Sequence, residues 1–292
     1  MPAPNAFLNS ACGNAEKARE ALKTAGFQLV EVKPGEMKQH LTTAIEGQTR
    51  RILVAGGDGT IATAASLVAK TDVELAILPG GTLNHFARDH NIPTDLGKAA
   101  LVAGGDKVIT ADLGYVNDCV FLNTSSIGAY VTFVRDRERL EKRAGYAVAS
   151  MVAFFKTLKD LRTFTVTVEV EGKKKAFRSS LVFIGVGERE LRAPALGSRV
   201  KNGKRGLHVM IVRGRQRARL FAVALAGVAK GTKEAGKLPE FDALIVDRCR
   251  IDLNRPRATI GLDGELKAME TPLDYRIDRD TLRLVVAPPE GD

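Results

Sequence analysis

The chain has 292 residues, 45% hydrophobic and 27% charged, with a formal net charge of +10. That length holds two domains with real cores or one large one, and the composition is that of an ordinary globular protein. Aromatic residues at 5%, no Trp and no zinc-finger or basic-zipper spacing argue against a nucleic-acid partner.

The longest apolar runs, Ala147–Phe155 and Leu220–Ala229, fall well short of the roughly 18–20 residues of a membrane span. The opening MPAPNAFLNS lacks the basic start and apolar run of a secretory leader. Cys12, Cys119 and Cys249 lie far apart without metal-ligand spacing and read as reduced thiols, so a cytoplasmic protein is expected. Part of the positive excess sits between Arg189 and Arg219. It reads either as a solvated face or as a surface for peripheral contact with an anionic membrane, where each Lys or Arg contributes about 1 kcal/mol.

In chain order, Asn5–Leu8 predicts a strand, and Ala15, Ala18, Leu22 and Ala25 mark a helix face. Phe27–Val32 predicts a second strand, and Met37, Leu41, Ala44 and Ile45 a second helix face. Arg51–Ala55 is a strand that runs into Gly56-Gly57-Asp58-Gly59-Thr60. Ile61, Ala64, Ala65 and Val68 then fall at i, i+3, i+4 and i+7 of a helix, and Glu74–Leu78 is the next strand. This rhythm implies a mostly parallel sheet covered on both sides, with ligands beyond the C-terminal strand ends. After about residue 114 the period changes. Phe164, Val166, Val168 and Val170 alternate with polar residues, and Phe177–Val186, Leu207–Val212, Leu244–Val246, Ile251–Leu253 and Thr281–Val286 also read as strands. Helices are expected near 130–161 and 216–230. Tyr146–Leu158, with Met151, Phe154, Phe155 and Leu158, reads as a helix packed on the second domain's core, the other reading being a lipid-admitting element.

Two loops carry the chemistry. Glycine at 56, 57 and 59 lets backbone turn sharply and approach a ligand, and a helix N-terminus beside it suits phosphate. Asp58 is then anomalous unless a metal or a proton to be removed requires it; a turn-stabilising Asx residue is the alternative. The second loop, Pro79-Gly80-Gly81-Thr82-Leu83-Asn84-His85, also follows a strand and precedes a short helix. There is no GxxxxGK[ST] and no GxGxxG. His40, His85, His90 and His208 show no ligand spacing. For Asp263 and Glu265 a hairpin DG turn competes with a catalytic role.

The sequence GGDGT, followed some twenty residues later by PGGTLNHFA, resembles the catalytic domain of the diacylglycerol kinase family, which includes bacterial lipid kinases, sphingosine kinases and ceramide kinases. Asp112-Leu113-Gly114 with Phe121-Leu122-Asn123 and Gly128, and Asp263-Gly264-Glu265 with Thr271-Pro272-Leu273, extend the resemblance nearly end to end. NAD kinases share GGDGT, whereas Gly81–Asn84 and the DGE segment favour the lipid kinases. The resemblance implies an α/β domain with a mostly parallel sheet over residues 1–114, completed by about 274–292. A β-rich, sandwich-like lipid-substrate domain would occupy 115–273.

It also implies roles. Gly56, Gly57, Gly59, Thr60, Gly81 and Thr82 would line the phosphates of ATP, Asn84 would hold the second loop, and Asn9 would lie near the nucleotide. Asp58 would sit close to the γ-phosphate and Mg²⁺, Asp58 or Asp112 being the candidate metal ligand. Glu265 would accept the proton, with Asp263 the remaining catalytic candidate. The expected activity is transfer of the γ-phosphate of ATP to the hydroxyl of diacylglycerol or a related lipid, at a membrane surface on the inner face, by a chain free to form a homodimer. NAD phosphorylation and a catalytically silent lipid- or nucleotide-binding module are the alternatives. Two departures stand out: His85 where the family often has Asp, and Lys201-Asn202-Gly203-Lys204-Arg205-Gly206 where an acidic metal-holding segment is common.

Overall fold

The computed structural model describes residues 5–33, 35–81, 84–160, 162–190, 197–213, 238 and 240–288. The expected helix at 216–230, the run Leu220–Ala229 and several of the arginines between 189 and 219 lie outside the described residues. The chain divides into two compact units, Met1–Leu113 with Asp278–Asp292, and Gly114–Ile277.

The first unit alternates strand and helix: β1 (Asn5–Asn9), α1 (Ala15–Thr24), β2 (Gln28–Val32), α2 (Met37–Glu46), β3 (Arg51–Gly56), α3 (Asp58–Val68), β4 (Glu74–Pro79), α4 (His85–Asp89), α5 (Leu96–Ala103) and the start of β5 (Val108–Val116). β2, β1, β3 and β4 are neighbours in that order, all parallel, with β3 and β4 in register from Arg51↔Glu74 to Gly56↔Pro79. Ile52–Gly56 and all of β4 are buried. Such continuously apolar strands require cover on both faces. α3 supplies part of it through Ile61, Ala64, Ala65 and Val68, all buried. Leu53, Ala55, Ala76 and Leu78 pack with Ala18, Leu22, Ala99 and Ala100 of α1 and α5.

The second unit is antiparallel and β-rich: β6 (Cys119–Phe121), β7 (Thr124–Gly128), α6 (Ala129–Lys159), β8 (Phe164–Val170), β9 (Lys173–Val186), β10 (Leu207–Arg213), β11 (Phe241–Val246), β12 (Arg248–Asp252), β13 (Arg257–Leu262), β14 (Glu265–Glu270) and the first part of β15 (Leu273–Val285). β9 is shared along its length. Lys173–Ser179 pairs with β8, while Leu181–Val186 lies between β7 and β10. The core gathers Val166 and Val168 of β8, Val182 and Ile184 of β9, Val209 and Ile211 of β10, and Ile251, Ile260 and Tyr275.

α6 is not one rod. Gly145 adopts φ 71°, ψ 164°, outside the helical region. Lys156 Nζ donates to Asp136 Oδ1 at 2.9 Å, whereas twenty residues along an unbroken helix would separate them by about 30 Å. The two segments therefore fold back on one another about Gly145. In the second segment small residues do the burying: Ala149, Ala153 and Thr157 are buried, while Val148, Met151, Val152 and Phe154 are 48%, 56%, 44% and 40% exposed. This corrects the expectation that Met151 and Phe154 pack on the core; the fold-back needs a close approach, which alanine allows and methionine does not. The side chains of Phe155 and Leu158 lie outside the description. No helix among the described residues is long and apolar enough to cross a membrane.

Candidate active site

The site in the first unit is built where β3 and β4 end. Gly80 N–H donates to Gly56 O at 2.9 Å, carrying the parallel ladder one step past the strands. The two glycine loops then touch. A Cβ on Gly81 would stand 2.9 Å from Gly57 Cα and 3.0 Å from Asn84 Oδ1, and one on Gly56 would stand 2.7 Å from the Thr60 side chain. None of these three glycines takes a positive φ. Gly81 is needed for space between the loops and Gly56 for space beneath the Thr60 side chain, whereas a Cβ on Gly57 would make only ordinary contact at 3.6 Å.

Each loop has its own lock. Asn84, buried in the left-handed conformation at φ 50°, accepts from Gly81 N–H at 3.0 Å and donates to Gly81 O at 2.8 Å and Pro79 O at 3.3 Å. Asn9 Oδ1 accepts from Ala11 N–H at 3.0 Å, so its Nδ2 is the end that donates to Thr60 Oγ1 at 3.0 Å. Thr60, used there as an acceptor, keeps its own O–H to donate. α3 begins at Asp58 with Gly57 as N-cap and no side-chain cap. Its first N–H groups thus have neither an intrahelical acceptor nor a capping side chain, and the positive end of the helix dipole faces outward. Gly59 is the second residue of that helix.

Asp58 stands at this point. Its Oδ2 accepts from His85 N–H at 3.4 Å, while Oδ1 is buried with no hydrogen-bond partner. Burial pushes its pKa above the ordinary aspartate value, and the charge and backbone N–H of His85 oppose that rise in part. A buried carboxylate oxygen without a donor is costly, so it suits a cation, a proton or an incoming donor. Asn9, Gly56, Gly57, Asp58, Gly59, Thr60, Gly81, Asn84 and His85 are therefore brought together; Thr82 lies outside the described residues.

Asp112 is also buried, but its Oδ1 accepts from Asp280 N–H at 3.1 Å, beside a Thr110–Asp280 bond of 2.8 Å. Among the described residues no group of three His, Cys, Asp or Glu side chains has the makings of a metal site. That includes the turn at 201–206, where Lys204 N–H instead donates to Glu188 Oε2 at 2.9 Å.

In the second unit Asp263 and Gly264, at φ 47° and 90°, form the two-residue turn between β13 and β14. The Asp263 carboxylate accepts three backbone N–H groups: Leu122 at 2.7 Å, Asn123 at 2.8 Å and Thr124 at 2.9 Å. Both oxygens are thereby committed to holding the hairpin on the β6–β7 connection. Glu265, the first residue of β14, is exposed. Asn123 is buried with neither amide atom partnered, and the buried Ser126 Oγ is likewise unpartnered among the described residues. The FLN segment flagged Asn123 in the sequence, but spacing gives no sign that its amide is left unused.

Residues 4–116 match the family model described as diacylglycerol kinase catalytic domain. Over this segment, somewhat more than a third of the chain, the protein is similar to that catalytic domain. A diacylglycerol kinase of Mycobacterium tuberculosis (strain CDC 1551 / Oshkosh) is 37% identical over 103 residues, one third of each chain. A protein of Pseudomonas putida named probable lipid kinase YegS-like is 31% identical over 174 residues, 57% of each chain. The matched stretches thus span between a third and just over half of these kinase relatives. A solved structure titled a diacylglycerol kinase from Bacillus anthracis str. Sterne matches with a TM-score of 0.69, covering 98% of this chain and 97% of that one at 18% identity. The likeness at that identity is one of fold, and it extends over both units.

Proposed function

We propose that this protein is a lipid kinase that moves the γ-phosphate of ATP to the hydroxyl of diacylglycerol or a related lipid at a membrane surface. The observation that carries the reading is the Asp58 carboxylate, half unpartnered at the uncapped start of α3, where two glycine loops meet at the strand ends. Phosphoryl transfer needs positioning and charge neutralisation more than covalent work from the protein.

In this reading the free N–H groups of α3 and the Thr60 hydroxyl hold phosphate oxygens, and Asn9 and Asn84 fix the loops that present them. The orphaned Asp58 Oδ1 fits Mg²⁺, directly or through water; with few protein ligands, the ion would be held mainly by phosphate and water, as Mg²⁺ commonly is. When bound, the ion neutralises phosphate charge. The acceptor oxygen attacks the γ-phosphorus as its O–H proton passes to a carboxylate, and ADP leaves with the electrons of the broken P–O bond. Glu265 is assigned as that carboxylate from the resemblance of the DGE segment to bacterial lipid kinases, and the commitment of Asp263 to three amides agrees with that choice. Base catalysis of this kind is worth about 10²–10⁴ in rate.

The test is labelled ATP offered with Mg²⁺ to diacylglycerol, phosphatidylglycerol, sphingoid bases, ceramide, polyprenols and NAD, followed by extraction and separation. Label in an organic-phase lipid product is expected. Label in NAD alone would make the protein an NAD kinase, and ATP binding without transfer to any acceptor would make it a silent binding module.

A further inference from the structure

The second segment of α6 is inverted relative to a helix that serves a core. Ala149, Ala153 and Thr157, spaced by four, take the buried side, and Val148, Met151 and Val152, at i, i+3 and i+4, lie open with Phe154 beside them. Four large apolar side chains exposed on a single short helix are unusual for a soluble surface and mark a contact face. The helix segment itself carries charge of one sign. Residues 146–159 contain no acid, and their two lysines are Lys156 and Lys159. Lys156 is answered by Asp136. At and beyond the helix end, Lys159 and Arg162 are exposed, and exposed Arg178 donates through Nε to Thr163 Oγ1 at 3.0 Å. Asp160 is the one acid in the 156–163 stretch.

We infer that this helix face is a membrane-docking element, with Val148, Met151, Val152 and Phe154 entering the interfacial region of an anionic bilayer while Lys159, Arg162 and Arg178 meet its headgroups. The proposal rests on the lipid-kinase reading and names the surface by which the enzyme reaches its acceptor. An apolar helix face edged with cations binds such an interface by adding buried apolar area to attraction for anionic lipid. The helix is too short to span a bilayer and needs only to lie in its surface. The lysine at the helix C-terminus also complements the helix dipole.

The experiment is co-sedimentation of the full chain with vesicles of phosphatidylcholine alone or mixed with phosphatidylglycerol, over a range of salt. Alongside it runs labelled-ATP transfer to a short-chain diacylglycerol dissolved as monomer. The wild-type chain should bind the anionic vesicles, and less so as salt rises. The double substitution Met151→Asp/Val152→Asp should weaken binding about tenfold or more. Met151→Gln/Val152→Gln, milder in charge, should weaken it in the same direction. Lys159→Glu/Arg162→Glu should remove most of the preference for anionic vesicles. Leu101→Asp, at an exposed leucine of the other unit, should leave binding unchanged. Transfer to the monomeric acceptor should survive all of these. Vesicle binding undiminished by both Met151/Val152 pairs would overturn the inference. So would a wild-type dimer that these pairs convert to monomer while vesicle binding stays the same, because the face would then belong to a second copy. Absence of transfer to the monomeric acceptor in the wild-type chain would overturn the kinase reading instead, with vesicle binding still deciding the docking face.

Discussion

Two carboxylates at opposite ends of the parallel sheet are treated in opposite ways. At the N-terminal end of β4, Glu74 is 1% exposed and ringed by arginines. Arg51 meets its Oε2 at 2.9 and 2.7 Å, while Arg283 and Arg50 reach Oε1 at 3.4 and 3.5 Å. Arg51 gives its Nη1 donors to Ala103 O and Gly105 O. Burial alone would raise the Glu74 pKa, but these arginines more than reverse it and hold the carboxyl below the usual range. At the C-terminal end of β3, Asp58 has only backbone N–H groups at the start of α4 to answer it, the His85 contact being long at 3.4 Å, and an orphaned Oδ1, and its pKa is raised by burial. A fully answered carboxylate staples a fold. One left half answered costs stability until a ligand arrives, which is what a functional site asks of it.

The largest expected effects fall at the open end. Asp58→Asn should lower phosphate transfer about 10²–10⁴-fold, as should Glu265→Gln, measured as initial rates on a lipid acceptor. Asp58→Asn should also raise the unfolding free energy of the unliganded protein, because it removes an incompletely answered buried charge. The raised folded-state pKa of Asp58 contributes stability that is present below the free aspartate value of about 3.9 and is lost as pH rises through the folded value. The advantage of the variant should therefore grow with pH across that window in denaturation titrations.

At the closed end, Glu74→Ala should destabilise by about 3 kcal/mol, because three arginines lose their buried partner, with transfer per folded molecule unchanged. Its lowered pKa has the opposite sign: the contribution of Glu74 is present above about 4.3 and is lost as pH falls through its folded value. Asp263→Ala should cost about 2 kcal/mol by stripping three amides of their acceptor, read as a lower denaturation midpoint. Smallest is Gly81→Ala. Its methyl would press on Gly57 Cα, so the loops must part, and about 1–2 kcal/mol of nucleotide affinity should be lost in a binding titration.

Much of the open end was legible in the sequence. The strand-to-helix rhythm and the stripe Ile61, Ala64, Ala65 and Val68 gave the parallel sheet and its cover, because periodicity reports burial directly. The glycine loops were legible as paired turns at the strand ends, although Gly81 serves close contact between the loops and not a left-handed turn. The closed end was not legible. Glu74 reads as an ordinary polar residue at a strand start, and the arginines that answer it come from positions 50, 51 and 283, which only the folded sheet joins. For Asp263 the DG turn is real, and its carboxylate anchors the β6–β7 connection, a contact that spacing does not announce. In α6 the apolar residues Met151 and Phe154 suggested a core face. The fold-back at Gly145, which turns the alanines inward, depends on a tertiary contact between Asp136 and Lys156 that no local pattern announces.

The most direct test is the initial rate of labelled phosphate transfer from Mg-ATP to monomeric short-chain diacylglycerol, for wild-type, Asp58→Asn and Glu74→Ala chains, at a temperature where all three are folded. The account predicts at least a hundredfold loss in Asp58→Asn and a wild-type rate in Glu74→Ala. Wild-type transfer by Asp58→Asn, or an equal loss in both variants, would contradict it.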